Sequence, residues 1–142
     1  MSDRTPAPTL PVVGALASLV AVLVVLAPFV LLRGAESAGL GTYYEFGLVG
    51  PEIVALLAAV ATVAFEGARR GQTPPETVAG ATIVLGGVAT LVALQWAIAV
   101  DGAVVGSITT ADWLDIHRWL VVGAAAVVDG VAVAYARRLG LV

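Results

Sequence analysis

The stretch Trp119–Arg138, WLVVGAAAVVDGVAVAYARR, decides how the rest of the chain is interpreted. At about 1.5 Å per residue in a helix, this run is about as long as the apolar core of a bilayer is thick. It carries one acid, Asp129, well inside the apolar run. A charged Asp near the centre of a transmembrane helix costs about 2.5–3.5 kcal/mol on insertion scales. The stretch therefore predicts a membrane span, and it raises the question of what stabilises the carboxyl group of Asp129.

The composition favours a membrane protein over a soluble one. The chain has 142 residues, of which 60% are hydrophobic and 12% are charged, and its mean hydropathy is +1.01. Soluble domains average about 45–50% apolar and about 25% charged residues. The absence of cysteine excludes disulfides, thiolate metal sites and cysteine nucleophiles. Because His117 is the single histidine, the chain alone cannot hold a haem between two imidazoles.

Four apolar runs are predicted to be transmembrane helices. The segment 33–49 contains four glycines and the segment 101–118 begins with an Asp-Gly turn signal, so both are predicted to be connectors. No internal repeat divides the chain. The predicted spans are residues 11–32, 51–68, 74–100 and 113–138. The sequence therefore predicts a single all-α membrane domain over residues 1–142, with the architecture of a polytopic four-transmembrane-helix bundle.

The distribution of arginine predicts the orientation of this bundle. Arg4, the central pair and the C-terminal pair fall on one side of the predicted membrane, and the other two arginines fall on the opposite side. Basic residues in short loops favour the cytoplasmic side. We expect both termini and the central loop in the cytoplasm, in a multi-pass protein of the cell (plasma) membrane. The expected topology anchors, which can also meet anionic headgroups, are Arg69, Arg70, Arg137 and Arg138.

Asp129 has polar residues at a similar predicted depth on the other three spans, namely Ser18, Thr62 and Thr82. One interpretation of this intramembrane polar layer is a site that accepts a proton or coordinates a cation, since an ionisable residue inside a membrane is a functional hypothesis by default. The other interpretation is that Asp129 bonds a hydroxyl group and fixes helix packing. No basic residue or second acid lies at this depth, so we favour the packing role.

A second group of polar residues lies near the predicted outer surface. Glu52 is at the start of the second span, where the helix dipole stabilises an acid, and Gln95 lies at comparable depth on the third span. The two can form an outer polar pair. Asp112, Asp115 and His117 match no metal-binding motif, and we expect them in a solvated helix start. No metal site is predicted.

Aromatic residues cluster near the same outer boundary. Amphipathic rings are enriched at headgroup level in membrane proteins. We therefore expect an interfacial aromatic belt and not a ligand cage. The residues concerned are Tyr43, Tyr44, Phe46, Trp96, Trp113 and Trp119.

The chain also has a resemblance in composition. It has seven arginines and no lysine, its net charge is −3, and it is rich in Ala, Val and Gly. In this composition and in its hydropathy pattern it resembles the small four-helix haloarchaeal membrane proteins of unknown function. The resemblance implies a four-helix membrane fold, and it assigns no catalytic or binding residue.

These observations lead to an expected function class. The sequence contains no phosphate-binding glycine loop, metalloprotease helix motif or suggested triad, so we predict no enzyme activity, no catalytic residue and no cofactor. Nucleic-acid binding has no support. The preferred hypothesis is a structural or accessory subunit of a membrane assembly, whose partners are the lipid bilayer, other membrane subunits or itself. The alternative is a small oligomeric transporter or channel with Asp129 as its proton or cation site.

Overall fold

The computed structural model of the chain describes residues 9–108 and 111–142, and every regular element in these ranges is helical. Four helices are long, and their ends lie within two residues of the predicted spans. Each run is apolar on most sides of its helix, which is the pattern of a helix buried in a protein core or in a membrane. The long helices are α1 (Thr9–Leu31), α3 (Glu52–Arg69), α4 (Pro75–Ala99) and α6 (Leu114–Arg138).

Three of the long helices, α1, α4 and α6, are long and apolar enough to cross a membrane. The fourth, α3, has 18 residues, and three of them are charged: Glu52, Glu66 and Arg69. These charges lie in its first and last turns, which shortens its uncharged segment. A transmembrane role for α3, and with it the four-transmembrane-helix bundle, therefore stays a prediction.

The long helices pack side by side. Helix α1 packs against α3 and α6, and α4 packs against the same two helices. Small side chains occupy many of the buried contacts, which allows the backbones to approach closely. Examples on successive helices are Ala21, Ala61, Ala93 and Ala125, each at most 1% exposed. The middle of the core thus consists mainly of alanine side chains, and the buried aromatic rings lie towards its two ends.

The two connectors contain more helix than the sequence predicted. Residues 34–39 form a 3-10 helix that continues into α2 (Leu40–Tyr44), and α5 (Gly102–Ile108) lies in the second connector. The Asp-Gly signal at residue 101 marks a helix start and not a simple turn, because Asp101 Oδ1 accepts hydrogen bonds from the backbone N–H groups of Ala103 and Val104. We call the end of the molecule that carries these connectors the connector end, and the opposite end, with residues 70–74, the loop end.

Candidate functional site

Asp129, the acid of the predicted polar layer, lies where α6 crosses α4. A Cβ atom placed on Gly86 would lie 2.8 Å from the Cα atom of Asp129 and 2.9 Å from its backbone nitrogen. Real Cβ atoms essentially never come this close to backbone, so only glycine permits this contact. Gly86 therefore brings the backbone of α4 directly against Asp129.

The carboxyl group of Asp129 is incompletely satisfied at this crossing. Its Oδ1 atom is buried and has no hydrogen-bond partner within the described part of the chain. The residue as a whole is partly exposed. A Cβ atom on Gly87 would lie 3.9 Å from Oδ1, so this oxygen faces the glycine pair of α4. A buried polar atom without a partner costs about 1–3 kcal/mol.

The three hydroxyl groups of the predicted layer bond within their own helices. Ser18 donates to the carbonyl of Gly14 at 2.8 Å, and Thr62 donates to that of Ala58 at 2.9 Å. Thr82 donates to the carbonyl of Val78 at 2.7 Å. Serine and threonine commonly form such bonds to the residue four positions earlier in a helix. The packing interpretation depended on a hydrogen bond between Asp129 and a hydroxyl group, and none is found in residues 9–108 and 111–142.

One cavity between the long helices bears on access to Asp129. A narrow cavity lies at the level of Gly86, and no polar side chain lines it. Such a lining does not favour water or an ion. The cavity is lined by Ala21, Val54, Leu57, Ala58, Ala61, Leu85, Gly86, Ala89, Ala125 and Val128. It therefore offers no polar path to Asp129 through the centre of the chain.

The outer polar pair is not joined by a hydrogen bond in the described residues. Gln95 Oε1 accepts a bond from the backbone N–H of Leu48 at 2.9 Å, and its amide nitrogen donates to the carbonyl of Val49. Glu52 is exposed, and its carboxylate lies close to Gly50. Gln95 thus fastens the first connector to α4, which is a structural role.

A second polar site, at the connector end, was not anticipated. Proline has no backbone N–H, so Pro28 leaves the carbonyl of Val24 without its helical donor. The Nε2 atom of His117 lies 2.5 Å from this carbonyl oxygen. One residue further along α1, the hydroxyl group of Tyr44 donates to the carbonyl of Val25. Two carbonyl groups in the turn of α1 before Pro28 thus accept from side chains of α6 and α2.

The contacts of His117 define its tautomer. Because a carbonyl only accepts, the neutral imidazole carries its proton on Nε2. The Nδ1 atom then accepts, and the hydroxyl group of Tyr43 lies 2.9 Å away. The same hydroxyl lies 3.0 Å from the carbonyl of Leu114, so its single proton is shared between these two acceptors. Burial raises the pKa of Tyr43 and Tyr44 above the usual range of tyrosine, so both remain protonated donors.

The side chains of Tyr43, Tyr44, Trp96 and His117 form a buried cluster, which we call the connector-end cluster, where the sequence predicted an interfacial aromatic belt. Tyr43, Tyr44 and Trp96 are at most 3% exposed, and the indole N–H of Trp96 donates to the carbonyl of Tyr43 at 3.1 Å. His117, which we expected to be solvated, is 2% exposed. Of the expected belt, Trp119 remains an exposed ring. The sequence did not predict the burial of these rings, because it depends on how the first connector folds over α4.

The predicted anchors lie where the loop end begins. Arg69 binds both oxygens of Glu66, at 2.9 Å each, and Arg70 Nε lies 3.4 Å from Glu66 Oε2. Arg137 and Arg138 are exposed in the last turn of α6. The four arginines lie in or directly after the last turns of α3 and α6, and their role as topology anchors stays a prediction.

Comparison with known proteins gives one family. A family model described as a family of unknown function (DUF7548) matches residues 1–140. No curated protein and no solved structure matches the chain.

Proposed function

The chain belongs to the family of unknown function DUF7548, and we propose that it is an integral membrane protein that acts as a structural or accessory subunit of a membrane assembly. The observation that carries the proposal is the buried Oδ1 atom of Asp129, which no group in the described part of the chain satisfies. Because the residue is partly exposed although its Oδ1 atom is buried, a donor on a neighbouring subunit would reach the carboxyl group from the exposed part of the residue.

Membrane insertion is supported by the surface of the helices. The outward faces of α1, α4 and α6 carry large apolar side chains, such as Leu23 at 59% exposed, Leu91 at 68% and Leu120 at 56%. Apolar surface of this extent is unusual for a soluble monomer. In our proposal α3 also crosses the membrane, which gives four spans with both termini in the cytoplasm. The cell membrane is the proposed location.

A partner contact is supported by the outward face of α6. Gly123, Val127, Gly130 and Ala134 recur at helical spacing, and all four are exposed. A Cβ atom on either glycine would meet nothing within 4 Å, so a neighbouring helix has room to approach. Asp129 borders this strip. A helix that packs here with an amide, hydroxyl or basic side chain at the same depth can bond the carboxyl group.

The test is recovery of partners from the native membrane. The tagged chain is purified in mild detergent, and co-purifying subunits are identified and quantified by mass spectrometry. We expect a membrane protein partner with the wild type, and recovery reduced about fivefold or more with Asp129→Leu, because one interhelical hydrogen bond contributes about 1–2 kcal/mol in model peptides. The matched control is Asp112→Asn, which changes an exposed acid.

A crosslinker locates the contact independently. A photoreactive residue at Val127 on α6 is compared with one at Leu19 on α1, since both side chains are exposed at 57% and 46%. We expect crosslinks to the partner from position 127 and few from position 19. A lone monomer from native membranes, without crosslinks from either position, would contradict the subunit role.

The second candidate function is a small oligomeric transporter or channel with Asp129 as its proton or cation site. It is favoured by the same unpartnered carboxyl oxygen. Because the cavity between the long helices is apolar, a path in this case would run between copies of the chain. Proton or cation flux into liposomes that hold the purified chain, lost with Asp129→Asn, would support this candidate over the first.

A further inference from the structure

A recess at the loop end carries donors for which the described part of the chain provides no acceptor. It lies between the last turns of α3 and residues 72–73. The backbone N–H groups of Gln72 and Thr73 donate to the carbonyl of Gly67 at 2.9 and 3.2 Å, which folds the loop back against α3. A Cβ atom on Gly67 would lie 2.6 Å from Thr73 Oγ1, so glycine allows this close approach. These backbone hydrogen bonds and this close contact therefore hold the loop that forms one wall of the recess.

The charges around the recess sum to one positive charge. Glu66 is neutralised by Arg69, which binds both of its carboxylate oxygens. Arg70 adds a second guanidinium, which makes only the longer contact to Glu66 and is 60% exposed. Its terminal nitrogens, the amide of Gln72 and the hydroxyl of Thr73 form no hydrogen bond to side chains or backbone in residues 9–108 and 111–142. The recess thus offers donors and a net charge that suit an anion.

The recess also has an apolar wall. Val63, about two turns before Arg70 on α3, lines it and is 72% exposed. A free anion gains nothing from this surface, whereas a lipid presents a phosphate and a hydrocarbon chain together. We propose that the recess binds an anionic phospholipid, with the phosphate on Arg70, Gln72 and Thr73 and the chain against Val63. This inference rests on the membrane insertion proposed above, and it does not depend on the subunit role.

The experiment measures lipid that stays bound to the full chain. The purified protein is reconstituted in vesicles of phosphatidylglycerol and phosphatidylcholine in equal amounts, extracted with detergent and analysed by native mass spectrometry. We expect a retained phosphatidylglycerol molecule in the wild type. Arg70→Gln should reduce its retention about fivefold, since one basic residue near an anionic surface contributes about that factor. The double variant Gln72→Ala, Thr73→Val should also retain less phosphatidylglycerol than the wild type, because it removes the amide and hydroxyl donors of the recess.

The matched control is Arg138→Gln, which removes one positive charge from the same end but lines no part of the recess. We expect this variant to retain the lipid as the wild type does. Equal losses in Arg70→Gln and Arg138→Gln would overturn the site in favour of diffuse attraction. Equal retention of both lipids would also overturn it. Displacement of the lipid by millimolar inorganic phosphate would assign the recess to a free anion instead.

Flotation of the same vesicles separates this inference from the proposed function. If the wild type does not float with the vesicles, membrane insertion fails and both proposals fall. If it floats without lipid selectivity, only the lipid site falls. Recovery of a lone monomer from native membranes removes the subunit role and leaves the lipid site standing.

Discussion

The connector-end cluster and the Asp129 crossing treat buried polar groups in opposite ways. Around His117, both ring nitrogens and the hydroxyl of Tyr43 lie within hydrogen-bond distance of partners in the same chain. At the crossing, Oδ1 of Asp129 is also buried and has no such partner among the residues that the structure describes. Satisfied buried networks make a fold more specific, whereas an unsatisfied atom calls for an explanation beyond packing. The first region therefore maintains the fold, and the second is where an external partner is expected.

The largest expected effect lies in the cluster. Trp96→Ala removes a fully buried ring that packs on Tyr43 and Tyr44 and donates to the backbone of the first connector. We expect a loss of about 3–5 kcal/mol in the free energy of unfolding in mixed micelles. Trp119→Ala, at an exposed ring, is the control and should change it far less. Similar losses in the two variants would show that the cluster does not stabilise the fold as described.

Gly86→Ala tests the closeness of the crossing. The added methyl group would meet the backbone of Asp129, which cannot move as a flexible side chain can. We expect α4 and α6 to be forced apart, with a loss of about 1–3 kcal/mol in unfolding free energy. Gly80→Ala on the same helix meets nothing within 4 Å and should be neutral or slightly stabilising. A tolerated Gly86→Ala would mean that the two helices are not in contact at this point.

Tyr43→Phe removes one hydroxyl group from the cluster. The Nδ1 atom of His117 would then lose the donor that lies 2.9 Å away, at an expected loss of about 1–2 kcal/mol in unfolding free energy. The matched control is Tyr135→Phe, because no hydrogen bond of the Tyr135 hydroxyl is found in the described residues. If both variants unfold like the wild type, the network contributes little to stability.

Much of the helical framework could be predicted from the sequence, and the polar contacts could not. Long apolar runs define where α1, α4 and α6 lie, and the starts and ends of the runs follow from Pro, Gly and charged residues. The contact of His117 with Val24 joins residues 93 apart in sequence, and that of Trp96 with Tyr43 joins residues 53 apart. No periodicity carries such information. Pro28 and the lone histidine were the only local signals of this cluster.

For the predicted intramembrane polar layer, the sequence did not predict the hydrogen bonds that the hydroxyl groups form. Four polar residues lie at a similar predicted depth, but a hydroxyl group in a helix also has a carbonyl of its own helix within reach. Ser18, Thr62 and Thr82 all take that local acceptor. The Oδ1 atom of Asp129 can accept a hydrogen bond, but the carbonyl groups of its own helix also only accept, so it gains no local partner from them. Residue chemistry, and not depth, therefore separates Asp129 from the other three.

We expect the partner of Asp129 to lie outside the chain, and the stability of the Asp129→Leu variant can contradict this. In the purified, isolated chain this change removes an unsatisfied oxygen and breaks no hydrogen bond found in the described residues. Replacing such a group with an apolar side chain is nearly neutral or stabilising. We predict that the free energy of unfolding in mixed micelles is unchanged or increased. A decrease of about 2 kcal/mol or more would show that the carboxyl group is already satisfied within the chain and would contradict the account.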